Sequence, residues 1–211
     1  MRFKALIFDC DGTLVDSERV GNQVIVESVR DFGLDLSLEE ALEAFTGRKM
    51  TDTLGIIQAR LGHPLPKDYL HTLRAQMAEA FKTRLNAMEG VHELLKTLQV
   101  PICVASNGPH EKMEVSLGVT GLIDYFEDRI FSAYECDSWK PEPGLFLFAA
   151  ERLGIDPIDC AVIEDSPLGV EAALRAGMTA FGYAPRGDGS ALRLGTTTVF
   201  HHMDDLASLL C

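Results

Sequence analysis

The 211-residue sequence predicts an α/β protein: a doubly wound parallel sheet interrupted by an inserted all-helical domain. Four short runs, at 3–8, 101–105, 160–163 and 179–183, are almost wholly apolar and stop at turn or capping residues, as strands buried on both faces do. Helical spacing fills the later intervals between them, which implies right-handed crossovers. From 16 to 85 the pattern is helical only, a stretch far beyond the ~15 residues a compact domain leaves as loop.

The elements follow in order. The first run, Phe3-Lys4-Ala5-Leu6-Ile7-Phe8, leads directly into acidic residues. Helical periodicity then joins Val24, Ile25, Val29 and Phe32; next Leu54, Ile57 and Leu61; and then Leu70, Leu73, Met77 and Phe81. This divides the chain into a core of 1–15 and 86–211 and a helical domain of 16–85. Gly90 marks the start of a helix carrying Val91, Leu94, Leu95 and Leu98. A helix over 141–153 buries Leu145, Phe146, Phe148, Ala149 and Leu153, and Gly154 closes it. Ser166-Pro167 reads as an N-cap followed by proline at the first helical position, with Gly177 at the far end. The polar segment 187–198 reads as a surface loop ahead of a last short strand at Val199-Phe200.

Composition narrows the function. Lys and Arg number 19 against 32 Asp and Glu, a net charge of −13, which argues against a nucleic-acid or anionic-membrane binder. A small anionic substrate remains compatible where a bound cation inverts the local charge. No apolar run approaches the ~20 residues of a membrane span, and residues 1–8 lack the apolar length and cleavage site of a signal peptide. The five cysteines, Cys10, Cys103, Cys136, Cys160 and Cys211, are odd in number and form no C-x-x-C pair, which suggests a reducing cytoplasmic setting.

Ligands of open parallel sheets bind beyond the carboxyl ends of the strands. The residues there are Asp9-Cys10-Asp11-Gly12-Thr13, Ser106-Asn107-Gly108, Lys140 and Glu164-Asp165-Ser166. Four acids, a cation and two small polar donors converge on one edge. Each has a plainer reading: Asp11-Gly12 as a turn, Lys140 as a surface lysine, Ser166 as a helix cap in addition to any other role. Cys10 reads as packing, because alternation on a strand turns it away from the flanking aspartates. His201 and His202 are adjacent on a strand and point apart, so they make a poor metal pair.

In order along the chain, Asp9-Cys10-Asp11-Gly12-Thr13, Ser106-Asn107, Lys140-Pro141 and Glu164-Asp165 resemble the four motifs of the haloacid dehalogenase-like (HAD) hydrolases. The helical insertion resembles that family's C1-type cap, so the likeness covers nearly the whole chain. Leu14-Val15-Asp16-Ser17-Glu18 and Glu164-Asp165-Ser166-Pro167-Leu168-Gly169-Val170 resemble the β-phosphoglucomutase-like branch. Val104-Ala105-Ser106-Asn107-Gly108-Pro109 and Trp139-Lys140-Pro141-Glu142-Pro143 are similar to its 6-phosphogluconate phosphatase-type members.

The resemblance implies a Mg2+-dependent phosphatase acting on a small phosphorylated metabolite, such as a sugar or sugar-acid phosphate. Asp9 would be the nucleophile, forming an aspartyl-phosphate, and Asp11 the general acid and then base. Asp9, Asp165 and the main-chain carbonyl of Asp11 would hold the metal, with Glu164 direct or through water. Gly12 and Thr13 amides, Ser106 and Asn107 would bind the phosphoryl oxygens, and Lys140 would neutralise both nucleophile and transferring group. Such division of labour suits the reaction, since monoester hydrolysis can demand acceleration of up to ~10²¹-fold, about 29 kcal/mol. Asp11 also argues against dehalogenase and phosphonatase chemistry, whose family members lack an acid at that position.

In the insertion, Gly47-Arg48-Lys49 reads as a substrate-facing turn or as a solvated basic one, and Arg74 as a lesser candidate. Glu18 could bond sugar hydroxyls or simply favour a helix N-terminus. A phosphomutase is the alternative activity. Where those mutases carry an arginine in the cap loop and a histidine early in the cap, this chain has Met50 and Gly21-Asn22, which favours hydrolysis. A non-catalytic phosphate-binding module is the alternative outside enzymes; Asp9, Asp11, Lys140 and Asp165 together argue for catalysis.

Overall fold

The computed structural model describes residues 2–46, 48 and 50–210. They fall into two compact units, Met1–Val15 with Ala87–Cys211, and Asp16–Asn86. Strand β1 (Ala5–Phe8) opens the first unit. The second unit consists of α1 (Ser17–Arg30), α2 (Leu38–Phe45), α3 (Met50–Leu61) and α4 (Tyr69–Arg84). The first unit resumes with α5 (Val91–Thr97), β2 (Ile102–Ser106), α6 (His110–Val119), α7 (Ile123–Phe126) and β3 (Ile130–Ser132). Then come α8 (Ala133–Cys136), α9 (Gly144–Leu153), β4 (Cys160–Glu164), α10 (Pro167–Arg175) and β5 (Thr179–Tyr183). Strand β6 (Thr198–Phe200) and α11 (Met203–Leu209) end the chain.

All six strands are parallel, in the order β3-β2-β1-β4-β5-β6. The chain winds outward from β1 to β3, returns to β4 beside β1, and winds out again on the other side. β1 is central and wholly buried. Ala5 and Ile7 pack with Leu145, Phe146 and Ala149 of α9 and Val170, Ala172 and Ala173 of α10. On the other face the Phe8 ring meets Phe126 of α7 edge-on, with centroids 6.3 Å apart. Each such large side chain stabilises the fold by about 1.5–3 kcal/mol through burial, enough for a four-residue strand to anchor the sheet.

Local chemistry sets the helix ends. Ser166 accepts a hydrogen bond from the Gly169 amide at 3.1 Å and Pro167 follows it, so α10 starts abruptly just beyond β4. Gly154, at φ 68°, ends α9. In the helical unit, Ser37 and Glu40 form a capping box at the start of α2. α1 buries Val24, Ile25, Val26 and Val29; α3 buries Ile57 and α4 buries Leu73. The Phe32 and Tyr69 rings meet edge-on at 5.4 Å.

Several elements differ from the sequence reading, which named no helix at α6, α7, α8 or α11. β3 carries an apolar signal of only Ile130 and Phe131, between charged Arg129 and a capping Ser132, too short to stand out. α2 is likewise short. The helix expected over 141–153 begins at Gly144, because Glu142 closes a turn onto the Trp139 carbonyl and Pro143 stands at its N-cap. Within the expected loop 187–198, a single 3-10 turn at Ser190–Leu192 buries Leu192. Among the described residues, no helix is long and apolar enough to cross a membrane.

Candidate active site

The reversal of strand order lies between β1 and β4, where a parallel sheet opens a crevice at its carboxyl edge. Phe8 pairs with both Ile163 and Val104, so Asp9 leaves β1 level with Glu164. The Asp9 amide donates to the Ile163 carbonyl at 2.9 Å, which fixes its backbone there. The Lys140 ammonium lies between the two acids. Its Nζ donates to Asp9 Oδ1 and, at 2.8 Å, to Glu164 Oε1. It also sits 5.0 Å from the Phe146 ring centroid. Asp9, Lys140 and Glu164 are 6%, 7% and 1% exposed, so this lysine is no surface residue.

Burial in so tight a cluster acts on every charge. It pushes the Asp9 carboxyl up to about 7, against the pull of Lys140. Burial also works against the Lys140 cation, but Asp9 and Glu164 outweigh it and leave its pKa above the ordinary lysine range. The second Glu164 oxygen, Oε2, accepts from the Ser166 amide at 2.5 Å. Both Glu164 oxygens are therefore engaged. Gly169 is what admits this side chain: a Cβ there would overlap the Glu164 carboxyl.

Asp165 follows at the start of the next turn. Its Oδ1 accepts from the Thr13 hydroxyl at 3.1 Å. Burial, then the charges of Glu164 and Asp9, push its carboxyl well up. Gly12 lies against it at φ 84°, and a Cβ there would strike Asp165 Oδ2. Carboxylate oxygens of Asp9, Glu164 and Asp165 lie within 4.8 Å of one another. Three mutually repelling, all-oxygen donors with one lysine among them fit a hard divalent cation. Among the described residues His201 joins no such cluster; its Nδ1 faces the Ala184 carbonyl at 2.7 Å.

The loop after β2 completes the edge. Asn107 Oδ1 accepts from the Lys140 amide at 2.9 Å, and Ser106 Oγ accepts from the Gly108 amide at 3.2 Å. Asn107 thus braces the segment that carries Lys140. Asp11 meets a residue absent from the sequence reading: Lys112, the third residue of α6, whose Nζ donates to Asp11 Oδ2 at 2.6 Å. Burial opposes the Lys112 cation, yet Asp11 raises its pKa above the usual value. Asp11 Oδ1 is buried, with no hydrogen-bond partner among the described residues. Cys10 is buried between the two aspartates and burial raises its thiol pKa, which fits packing.

Two further residues escaped the sequence reading. Ser132, at the end of β3, donates to the Gly108 carbonyl at 2.7 Å, and Glu135 accepts from the Ser132 amide at 2.9 Å. A signal for Lys112 did exist: a lysine in the first turn of a helix opposes the helix dipole and calls for an anionic neighbour. In the helical unit, Arg48 is exposed with its Nε donating to the Ala44 carbonyl at 2.7 Å. Glu18 lies in the first turn of α1, where the Asn22 amide reaches its Oε2 at 3.4 Å. Gly47 and Lys49 lie outside the described residues.

The model of the haloacid dehalogenase-like hydrolase family matches residues 3–177. The chain belongs to that family. This HAD hydrolase is 35% identical over 209 residues to a 6-phosphogluconate phosphatase of Escherichia coli (strain K12), covering 99% of this chain and 95% of that one. A HAD family hydrolase from Deinococcus radiodurans R1, solved with bound phosphate and sodium, is 33% identical with a TM-score of 0.88, covering 99% and 95% of the two chains. A candidate beta-phosphoglucomutase from Thermotoga maritima is 25% identical with a TM-score of 0.82, covering 98% of each. The protein is a HAD-family phosphatase.

Proposed function

We propose that this phosphatase uses Mg2+ to hydrolyse a sugar or sugar-acid phosphate, 6-phosphogluconate among them, through a phosphoryl ester on Asp9. The observation that carries the reading is the Lys140 ammonium donating at once to Asp9 and Glu164, with Asp165 beside them. A buried carboxylate held at one oxygen by a fixed cation keeps its other oxygen for attack. Here Lys140 occupies Asp9 Oδ1, which leaves Oδ2 to bond to phosphorus in line with the departing oxygen.

Each remaining group has a task. Asp11 gives a proton to the leaving alkoxide, then takes one from the water that cleaves the acyl-phosphate. Ser106, Asn107 and the Gly12-Thr13 amides bind phosphoryl oxygens. Lys140 stabilises the charge gathering on them, and Glu164 keeps Lys140 in place. Asp9, Asp165 and the Asp11 carbonyl would hold Mg2+, with Glu164 behind them, and the ion would offset the repulsion between a carboxylate and an incoming phosphate. Thr13 orients Asp165 for that duty.

The 35% identity to a protein named for 6-phosphogluconate supports the substrate class. We read Asp16–Asn86 as a C1-type cap that confers selectivity, with Arg48 and Lys49 for a second anionic group and Glu18 for hydroxyls. Cys10, Cys103, Cys136 and Cys160 are free thiols, in keeping with a reducing cytoplasm. The test is release of inorganic phosphate from a panel of phosphorylated sugars, sugar acids and p-nitrophenyl phosphate, with and without Mg2+. Mg2+-dependent turnover with the highest kcat/KM on sugar-acid phosphates is expected. Folded protein that turns over none of them would overturn the reading.

A further inference from the structure

Among the described residues, Asp11 is held at one carboxylate oxygen. Lys112 Nζ donates to its Oδ2 at 2.6 Å, while Oδ1 is buried with no hydrogen-bond partner among the described residues. The carboxylate could otherwise rotate about its Cβ–Cγ bond and exchange the two oxygens. An ion pair on one of them removes that freedom. The pair is half-covered, with the Lys112 and Asp11 side chains 39% and 29% exposed, and so differs from a loose surface contact.

The lysine lies beside the loop that follows β2. It lies on α6, whose start follows directly from the loop bearing Ser106 and Asn107. A Cβ on Gly108 would lie 3.5 Å from Ser106 Oγ, 3.7 Å from Lys112 Cδ and 4.0 Å from Asp11 Oδ2, so the three side chains gather around that glycine. Ser132 Oγ fixes the Gly108 carbonyl from the side of β3, at 2.7 Å.

We infer that Lys112 is a positioning residue for acid–base catalysis, tethering Asp11 Oδ2 so that Oδ1 is the oxygen that exchanges the proton. The inference rests on the reading of Asp11 as acid and base. In the first half-reaction the proton on Oδ1 passes to the ester oxygen as its bond to phosphorus breaks and Asp9 bonds to phosphorus. In the second, a water oxygen bonds to phosphorus and its proton goes to Oδ1. The Asp9–phosphorus bond breaks, and Asp9 recovers its carboxylate. A carboxylate free to rotate would present the wrong oxygen, or none, at both moments.

The test compares an aryl ester, whose leaving group departs without a proton, with an alkyl ester, whose leaving group needs one. Lys112→Met keeps the apolar stem and removes the charge; Lys112→Arg keeps the charge. With excess Mg2+, Lys112→Met should release p-nitrophenolate in a burst equal to the enzyme present, because only the later hydrolysis needs Asp11. Steady turnover should then be slow. On an alkyl phosphate it should show no burst and a kcat lower by about 10²-fold or more, with KM within about twofold. Lys112→Arg should recover at least about a tenth of wild-type kcat. Lys112→Gln carries the same expectation as Lys112→Met should the latter not fold.

Wild-type behaviour, equal losses on both esters without a burst, or a change in KM alone would each overturn the role of Lys112. Asp11→Asn, run in parallel, separates the two levels. A burst in Asp11→Asn without one in Lys112→Met sinks the positioning role alone. Full kcat on the alkyl ester in Asp11→Asn sinks the acid–base reading beneath it.

Discussion

The Thr13 hydroxyl donates to Asp165 Oδ1 at 3.1 Å, joining the turn after β1 to the turn after β4. This contact spans 152 residues of sequence and sets the direction in which one acid of the cluster points.

Thr13→Val keeps the shape of the side chain and removes that donor. Outer partners of metal-binding carboxylates typically contribute about 10–100-fold in affinity, so half-maximal activity should require correspondingly more Mg2+. A Mg2+ titration of phosphatase activity measures it. An unchanged titration curve would mean that Thr13 serves only the turn.

Asp9→Asn should abolish turnover, by a factor on the order of 10⁴–10⁶, while the protein stays folded. The change removes the charge of the buried carboxyl proposed as nucleophile and leaves a side chain of the same size. Stopped phosphate release alongside an intact thermal transition is the expected pair of results. Appreciable residual kcat would place the attacking group elsewhere.

Alanine normally stabilises a helix by about 0.8–1 kcal/mol relative to glycine. At Gly169 in α10 the reverse is expected, because its Cβ would occupy the space of the Glu164 carboxyl. Gly169→Ala should cost about 1–3 kcal/mol of stability through overpacking and should lower kcat by displacing Lys140. Chemical denaturation and steady-state kinetics on one sample decide it; a stabilised, fully active variant would contradict the packing described above.

Within the helical unit, one Arg84 nitrogen lies 2.9 Å from each Glu27 oxygen. Hydrogen bonding from Arg84 holds the Glu27 carboxyl below its ordinary range. A folded-state pKa below the unfolded one adds stability at neutral pH, and that stability is lost as pH falls through the folded value. Because the side chains are 42% and 51% exposed, solvent screening limits the contribution to about 0.2–1 kcal/mol. Arg84→Ala should thus lower Tm slightly at pH 7 and not at pH 3, and high salt should shrink the difference. An equal loss at both values of pH would assign the effect to packing.

The parts of this molecule that repeat a physical pattern over several residues are legible in its sequence. β1 and β4 are uninterrupted apolar runs that end in acids, and the sheet edge after them is where charge can gather. β3 offers two apolar residues, below the length at which a strand separates from a loop. Asp9, Glu164, Asp165 and Lys140 were identifiable from their places after strands and ahead of α9, and they meet in space. Spacing alone did not show which acid a given donor would meet. Thr13 reaches Asp165, Asn107 reaches the backbone of Lys140, and Lys112 reaches Asp11 across 101 residues. Such pairings depend on the geometry of crossovers, which hydrophobic periodicity does not encode.

The central strand precedes its partners in the sheet by a wide interval along the chain. β2 begins at Ile102 and β4 at Cys160, with all of Asp16–Asn86 synthesised in between. The intervening helices make contacts local in sequence and can consolidate as soon as they emerge. β1 lacks its β4 partner until Cys160–Glu164 has been made, and only then can Lys140 and Glu164 together enclose the Asp9 carboxyl. A nascent chain stalled before that point would hold a finished helical unit without the cluster of Asp9, Lys140, Glu164 and Asp165.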